Sequence, residues 1–391
     1  MNCGSDKIIY MDNNATTCIA PEVLEAMMPF LSDCYGNPSS MHTFGGLVGR
    51  AVEEARAKIA DLIGAEPQEI VFTSCGTESD STAILSALQT FPEHRHVITT
   101  RVEHPAVKNL CENLTQLTGH KHRITRLMVE ADGTLDMDRY REALNEDTAI
   151  ISVMWANNET GVIFPVEKIA AMCRQRGITF HTDAVQAVGK LPINLAFSQI
   201  DMLSLSGHKL HAPKGIGALF IRKGTKFSPF LIGGHQEKGR RAGTENVPGI
   251  IALGKACELA GKNLDKENST VKELRDRLES ELIRQIPEAK VNGTTKFRTP
   301  NTSNISFANI EGENILLMLN EFGICASSGS ACTSGSLEPS HVMRAMGVPF
   351  TMAHGSIRFS LSIYNTEADI ERIIKELPPI VKRLRELSPF S

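Results

Sequence analysis

The sequence reads as an α/β protein: a large domain on a mainly parallel sheet, followed by a smaller α+β domain. Three observations carry that reading. From about residue 16 to 260, short β-rich runs alternate with helical patterns, the order that places helices on both faces of a parallel sheet. Several of those runs are apolar almost throughout, as strands covered on both sides are. After about residue 261 the texture changes to long charged helices with few strands between them. Residues 16–260 are therefore expected to form the large domain. Residues 1–15 and 261–391 are expected to form the small one, carrying a loop of small residues at about 325–336.

The elements follow in order. The run Ile70–Thr73 reads as a strand, and Asp80 to Leu88 as the helix after it. His96–Thr100, Ala149–Met154, Thr179–Thr182 and Met202–Leu205 continue the strands. Pro105 to Gly119 and Pro165 to Gly177 read as helices, since Pro suits the first turn and Gly the left-handed stop. In the second part, Leu264 to Ile286 reads as a charged amphipathic helix and Thr302 to Phe307 as a strand. A helix around Glu313 to Glu321, a strand over Ser356 to Ser362 and a closing helix over Glu367 to Leu387 complete it.

Composition narrows the function. The chain has 391 residues, 41% hydrophobic and 22% charged, with a formal net charge of −4. That balance gives no reason to expect a nucleic acid or an anionic membrane as partner. No window approaches the roughly 18 apolar residues of a membrane span, and the first residues lack a secretory pattern; the protein reads as cytoplasmic. Its nine cysteines include no Cys-x-x-Cys pair, so neither a disulfide framework nor a metal site is expected. Only Cys332 has surroundings that suggest reactivity.

Ligands of such sheets bind at the carboxyl ends of the strands, so the residues there matter most. Ser206-Gly207-His208-Lys209 directly follows a strand pattern; a lysine there can form a Schiff base with an aldehyde. Asp183 ends another strand and precedes Ala184-Val185-Gln186. Pyridoxal phosphate draws electrons best with its ring nitrogen protonated, and a carboxylate stabilises that form. Ser74-Cys75-Gly76-Thr77 lies between a strand and a helix, where free N–H groups suit a phosphate. His104 and Asn158 follow two more strands. All but Asn158 have a bland alternative: surface lysine, capping aspartate, ordinary N-cap, capping histidine. Their joint occurrence at strand ends makes the specific pattern.

These residues resemble those of the cysteine desulfurases, class-V aminotransferase-like enzymes of the aspartate-aminotransferase-like pyridoxal-phosphate fold (fold type I). The resemblance spans the chain from Asp12-Asn13-Asn14-Ala15-Thr16-Thr17 through Glu103-His104 and Ser206-Gly207-His208-Lys209. It continues in Arg240-Arg241-Ala242-Gly243-Thr244-Glu245-Asn246 and Ser327-Ser328-Gly329-Ser330-Ala331-Cys332. Runs such as Thr73-Ser74-Cys75-Gly76-Thr77-Glu78-Ser79 look closest to the nitrogen-fixation (NifS) type. The resemblance implies that Lys209 holds the cofactor aldehyde, Asp183 the pyridinium and Gln186 the ring hydroxyl, with His104 on the ring. Gly76, Thr77, Ser206 and His208 are implied at the phosphate, joined by Thr244 from the other copy of a homodimer. Asn158, Arg358 and Asn13 are implied at the substrate, L-cysteine, with Asn158 implied at the cofactor as well; a guanidinium fork suits the substrate carboxylate.

Cys332 is implied to take the sulfur as a persulfide, leaving alanine, with an iron–sulfur scaffold protein as the next acceptor and nitrogenase as a destination. Its loop of small residues is expected to let the thiol reach in and swing out. Two rivals stand beside this reading. One is another pyridoxal-phosphate reaction, an aminotransferase or selenocysteine lyase, since fold alone does not decide chemistry. The other is a cluster scaffold using Cys75, Cys325 and Cys332, whose spacing matches no known ligand set.

Overall fold

The structure is a computed structural model that describes residues 8–117, 121–328 and 338–387. A short first strand, β1 (Ile9–Tyr10), lies apart from the main sheet. The main sheet holds β2 (Ile70–Thr73), β3 (His96–Thr100), β4 (Arg123–Leu127), β5 (Thr148–Ser152), β6 (Thr179–Asp183), β7 (Met202–Ser206) and β8 (Gly217–Ile221). Their order across the sheet is β2-β8-β7-β6-β5-β3-β4. All neighbours pair in parallel except β8, which is antiparallel to both β2 and β7. A parallel return needs a crossover of about a dozen residues or more. The turn between β7 and β8 is shorter than that, so β8 folds straight back.

β4 and β8 have no counterpart among the runs read from the sequence. β4 is an edge strand with exposed and half-buried positions and two arginines, the charged character that protects an open edge. The other six strands are buried at every residue. Successive residues face opposite sides. Phe72, Ile98, Ile151 and Phe220 enter one apolar cluster, while Val71, Val97, Ile150 and Leu219 enter another. Each such side chain contributes about 1.5–3 kcal/mol on burial.

Helices cover the sheet as expected. Val166–Arg176 begins after Pro165 and stops at Gly177, whose φ of 68° is left-handed. Pro105–Leu117 is helical, and the Gly119 expected to stop it lies outside the described residues. The helix after β2 starts earlier than its apolar pattern, running over Gly76–Thr90.

A second sheet contains β9 (Ala289–Val291), β10 (Thr302–Phe307), β12 (Ser327–Ser328) and β13 (Ser356–Ser360) in the order β12-β13-β10-β9, all antiparallel. β1 pairs in parallel with β11 (Ile324–Cys325), setting Ile9 opposite Ile324. Ile9 and Met11 share a core with Leu278, Phe307, Phe359 and Ile373.

The helix expected at Leu264 begins instead at Val247, capped by the Asn246 side chain on the Gly249 amide. It runs to Lys266, passes through a π turn over Glu267–Val271 and continues as Lys272–Gln285. Its first half buries Ile250, Leu253 and Cys257 in the core of the main sheet, its last part Leu278 and Leu282 in the second core. Reading by charge pattern finds only the part where the charges begin. Among the described residues no helix is long and apolar enough to cross a membrane.

Candidate active site

The parallel strands β3, β5, β6 and β7 end on one side of the main sheet. At or beyond those ends stand His104, Asn158, Asp183 and Lys209. Lys209 closes a single turn over Gly207–Lys209 after β7. Its ammonium donates to the carbonyls of Asn14 at 2.5 Å and Ala15 at 2.7 Å. Burial, then the cations of Lys190 and Arg358, push its pKa down to about 7, against the pull of Asp12 and Asp183. An ordinary lysine titrates near about 10.4, so Lys209 carries a large neutral fraction at neutral pH.

Asp183, the last residue of β6, is buried and accepts from the Val185 amide at 2.9 Å. Burial raises its pKa, while His104, that hydrogen bond and Lys209 oppose the rise. Burial lowers the pKa of His104, with Asp183 opposing and Lys209 reinforcing. The three groups thus share one field. The capping role of His104 is also real: its Nδ1 accepts from the Ala106 amide at 3.2 Å. A neutral ring then carries its hydrogen on Nε2.

The helix Gly76–Thr90 starts at Cys75 with no side-chain cap, leaving N–H donors and the positive end of the dipole open. Gly76 is required by close approach: a Cβ there lies 2.9 Å from Val185 Cγ2 and 3.6 Å from Ser206 Cβ. Gly217 of β8 is required likewise, since its Cβ would lie 3.0 Å from the Cys75 carbonyl carbon. The helix start, the exit of β6 and the end of β7 are therefore packed together. The buried Ser206 hydroxyl has no hydrogen-bond partner, a state that costs about 1–3 kcal/mol. Thr77 is exposed at the helix start. His208 Nδ1 lies 3.2 Å from Thr16 Oγ1, and burial followed by Lys209 holds its pKa down at about 4.

Of the residues expected at the substrate, Arg358 extends from β13. The solvated arginine of the bland reading is instead buried. It donates to the Asn158 carbonyl at 3.0 Å and pairs with Asp12 at 2.5 Å, while its Nε has no partner. Asn158 is half-buried in a loop closed by Asn157, whose Oδ1 accepts from the Glu159 and Thr160 amides. Asn13 is buried, and its amide nitrogen donates to the Ser360 carbonyl at 2.9 Å and the Tyr10 carbonyl at 3.2 Å. Gln186 donates through Nε2 to the Asn14 carbonyl at 3.0 Å.

Two expected residues stand apart. Thr244 is exposed and lines a pocket with Ser74, Gly215 and Arg241 rather than the cavity beside Lys209. Cys332 lies outside the described residues. The strand leading toward it, β12, pairs with β13 so that Ser327 stands opposite Arg358.

Four buried polar residues escaped the sequence reading. Asp80 Oδ1 lies 3.6 Å from His181 Nε2 and has no hydrogen-bond partner, and burial followed by Asp183 raises its pKa well above the carboxylate range. His181 bonds Ser152 Oγ and Ser204 Oγ at 2.9 Å each, and burial pushes its pKa down to about 3. Glu103 is pushed up to about 8 by burial. Lys190 donates to Gln186 Oε1 at 2.9 Å. His181 had a signal in its two-residue spacing from Asp183, and Lys190 in its four-residue spacing from Gln186. Asp80 and Glu103 had none beyond their neighbours.

The chain leaves three needs open: a buried carboxylate without an ion-pair partner, a near-neutral amine, and an uncapped helix start beside an unbonded hydroxyl. A cationic ring nitrogen, an aldehyde and a phosphate meet them. Among the described residues no group of three or more His, Cys, Asp or Glu side chains is arranged for a metal ion.

The aminotransferase class-V family matches residues 9–373. A cysteine desulfurase of Trichormus azollae is 60% identical over 98% of this chain and 95% of its own. The cysteine desulfurase NifS of Azotobacter vinelandii is 58% identical over 98% of this chain and 94% of its own. Among solved structures, a NifS-like protein superposes with a TM-score of 0.90 at 37% identity, covering 97% of this chain and all 100% of the other. A structure described as SspA in complex with cysteine gives a TM-score of 0.80 at 35% identity, covering 91% and 99%. With likeness of this depth along nearly its whole length, the chain belongs to the class-V aminotransferase family and, within it, to the cysteine desulfurases.

Proposed function

We propose that the protein takes sulfur from L-cysteine with pyridoxal phosphate, leaving alanine and a persulfide on Cys332. The observation that carries this reading is the shared field of His104, Asp183 and Lys209 at three strand ends, beside the unbonded Ser206. Lys209 holds the aldehyde, Asp183 the ring nitrogen and Gln186 the ring oxygen, and His104 contacts the ring. Gly76, Thr77, Ser206 and His208 hold the phosphate. When bound, the cofactor supplies a sink for the electron pair left at Cα.

The residues then divide the work. Arg358, with Asn158 and Asn13 beside it, holds the substrate carboxylate; the Asp12 pair supports this, since a carboxylate already fits that guanidinium. Lys209 Nζ accepts the α-proton in its neutral form. The Cys332 thiolate attacks the substrate sulfur and an S–S bond forms. The Cβ–S bond breaks, Cβ keeps the electron pair, and protonation gives the methyl of alanine. His104 exchanges protons through Nε2. L-Cysteine and the Cys332 thiol thus become alanine and a Cys332 persulfide, with no outside oxidant.

Thr244 serves the phosphate bound by the other copy of a homodimer. Its loop supports this: Phe230, Leu231 and Ile232 are exposed beside it, and the Ala242 amide bonds the Leu231 carbonyl, an apolar surface of the kind that partners cover. Residues 16–260 form the cofactor domain, and residues 1–15 with 261–391 form the domain that carries Cys332. An iron–sulfur scaffold protein takes the persulfide, for nitrogenase clusters among others. Persulfide chemistry of this kind belongs in a reducing compartment, the cytoplasm.

The test is to give purified protein L-cysteine and a thiol reductant without a keto acid. Alanine and sulfide in equal amounts are expected, and Cys332→Ala loses both while cysteine still changes the cofactor absorbance. Turnover that appears only with a keto acid overturns the reading in favour of an aminotransferase.

A further inference from the structure

Behind Lys209 lies a cavity of about 70 Å³ lined by Lys190, Lys209, His211, Asn263, Glu267 and Tyr364 among others. Lys190 and Glu267 are both buried, and neither belongs to the sites assigned above. Lys190 is tied down twice. Its ammonium donates to Gln186 Oε1 at 2.9 Å, and its carbonyl accepts from Asn268 Nδ2, in the π turn, at 2.9 Å. Glu267 opens that turn, and its Oε2 has no hydrogen-bond partner. Both charged residues line the cavity, which is roomy enough for water.

Lys190 decides which way the Gln186 amide points. An ammonium only donates and a carbonyl only accepts. Gln186 Oε1 takes the Lys190 proton and Nε2 gives one to the Asn14 carbonyl. Turning the amide over would set donor against donor and acceptor against acceptor. The second N–H of Nε2 is therefore what Gln186 has left to offer. The Asn14 carbonyl also accepts from Lys209, so one oxygen joins the two side chains.

We propose that Lys190 is a positioning residue: held in the cavity by the Glu267 turn, it fixes Gln186 as a hydrogen-bond donor to the ring oxygen of the cofactor. This rests on the cofactor reading above and adds a residue to it. A donor on that oxygen competes for the hydrogen it shares with the Lys209 imine, and the Lys190 cation opposes protonation nearby. Both effects keep the imine unprotonated to lower pH. The charges facing Lys190 agree with its being cationic. Glu267 favours its protonated form, Arg358 disfavours it, and burial brings its pKa only to about 8. Burial brings Glu267 up to about 7, with Lys190 opposing. Burial first, and the Lys190 charge as a smaller contribution, keep the imidazoles of His208 and His211 below their ordinary range. Lys209 itself is faced by Lys190, Arg358, Asp12 and Asp183.

The test titrates the visible absorbance of the holoenzyme against pH in wild type, Lys190→Met and Lys190→Arg. Lys190→Met is expected to raise the midpoint by about one unit or more, the worth of one hydrogen bond to a charged group. Its kcat for L-cysteine falls about tenfold with KM little changed. Lys190→Arg, which keeps cation and donor, titrates close to wild type. Lys190→Met/Glu267→Gln removes the stranded carboxylate; it recovers the melting temperature and keeps the raised midpoint. A wild-type midpoint in Lys190→Met, or an equal shift in Lys190→Arg, overturns the proposal while the wild type still makes alanine. A wild type with neither cofactor absorbance nor alanine overturns the parent reading and this one together.

Discussion

Two buried polar regions of this molecule look alike in burial and differ in satisfaction. On the second sheet, Asn292 donates to Asn304 Oδ1 at 2.8 Å and Ser306 Oγ at 2.7 Å. Nearby, Asn14 donates to Thr302 Oγ1 at 2.8 Å and accepts from Asn301 at 3.0 Å. Around the strand ends of the main sheet, Ser206 Oγ, Thr182 Oγ1, Glu103 Oε2 and, in the helix after β2, Asp80 Oδ1 have no hydrogen-bond partner. Satisfied networks hold a fold in one arrangement, whereas unmatched buried groups call for an explanation outside the chain. The Asn292 network is architecture; Ser206, beside the uncapped helix start, is the unmatched group that a ligand there would satisfy.

The contrast is broken hardest at Lys209. Lys209→Ala is expected to cut alanine formation by about 10²–10⁴ or more while the apoprotein melts within a few degrees of wild type. A comparable loss of stability would make Lys209 part of the architecture. The second test is pH. Only the neutral amine attacks an aldehyde, and the Lys209 pKa lies near about 7. The rate of pyridoxal-phosphate uptake by apoprotein, followed by absorbance, should therefore rise with pH and level off above about 7. An ordinary lysine would keep rising toward about 10.4. The smallest effects come as a pair. Asn292→Ala is expected to cost about 1–3 kcal/mol in urea unfolding by stranding Asn304 and Ser306, with turnover per folded molecule unchanged. Ser206→Ala should leave the apoprotein at least as stable and weaken cofactor binding about tenfold or more. Reversed outcomes would exchange the roles of the two regions.

The sequence carried the strand ends because a buried strand announces itself by composition. The runs at Ile70–Thr73, His96–Thr100 and Thr179–Asp183 stand where the sequence placed them, within a residue. With them came the positions of Gly76, His104, Asp183 and Lys209. What pattern did not carry was contact. Arg358 meets Asp12, and Lys190 shares a cavity with Glu267, across separations that no periodicity records. β8 follows β7 with no α-helix between them, so no alternation marked it. The helix from Val247 changes from an apolar to a charged texture midway, and a reading by texture cut it there.

The pairing of β1 with β11 has a consequence for how the protein is made. The carbonyls of Asn14 and Ala15 that hold Lys209 follow β1 by only a few residues, and β1 is anchored on Ile324–Cys325. At about 5–20 residues per second, a ribosome reaches β11 on the order of tens of seconds after β1. During that interval the main sheet has its strands, and the segment after β1 is held to the Lys209 turn by its own bonds, such as the Thr17 amide to the His208 carbonyl, but not yet by the second sheet. The order of translation thus sets the order of assembly: β1, among the first residues made, gains its strand partner only in the last part of synthesis.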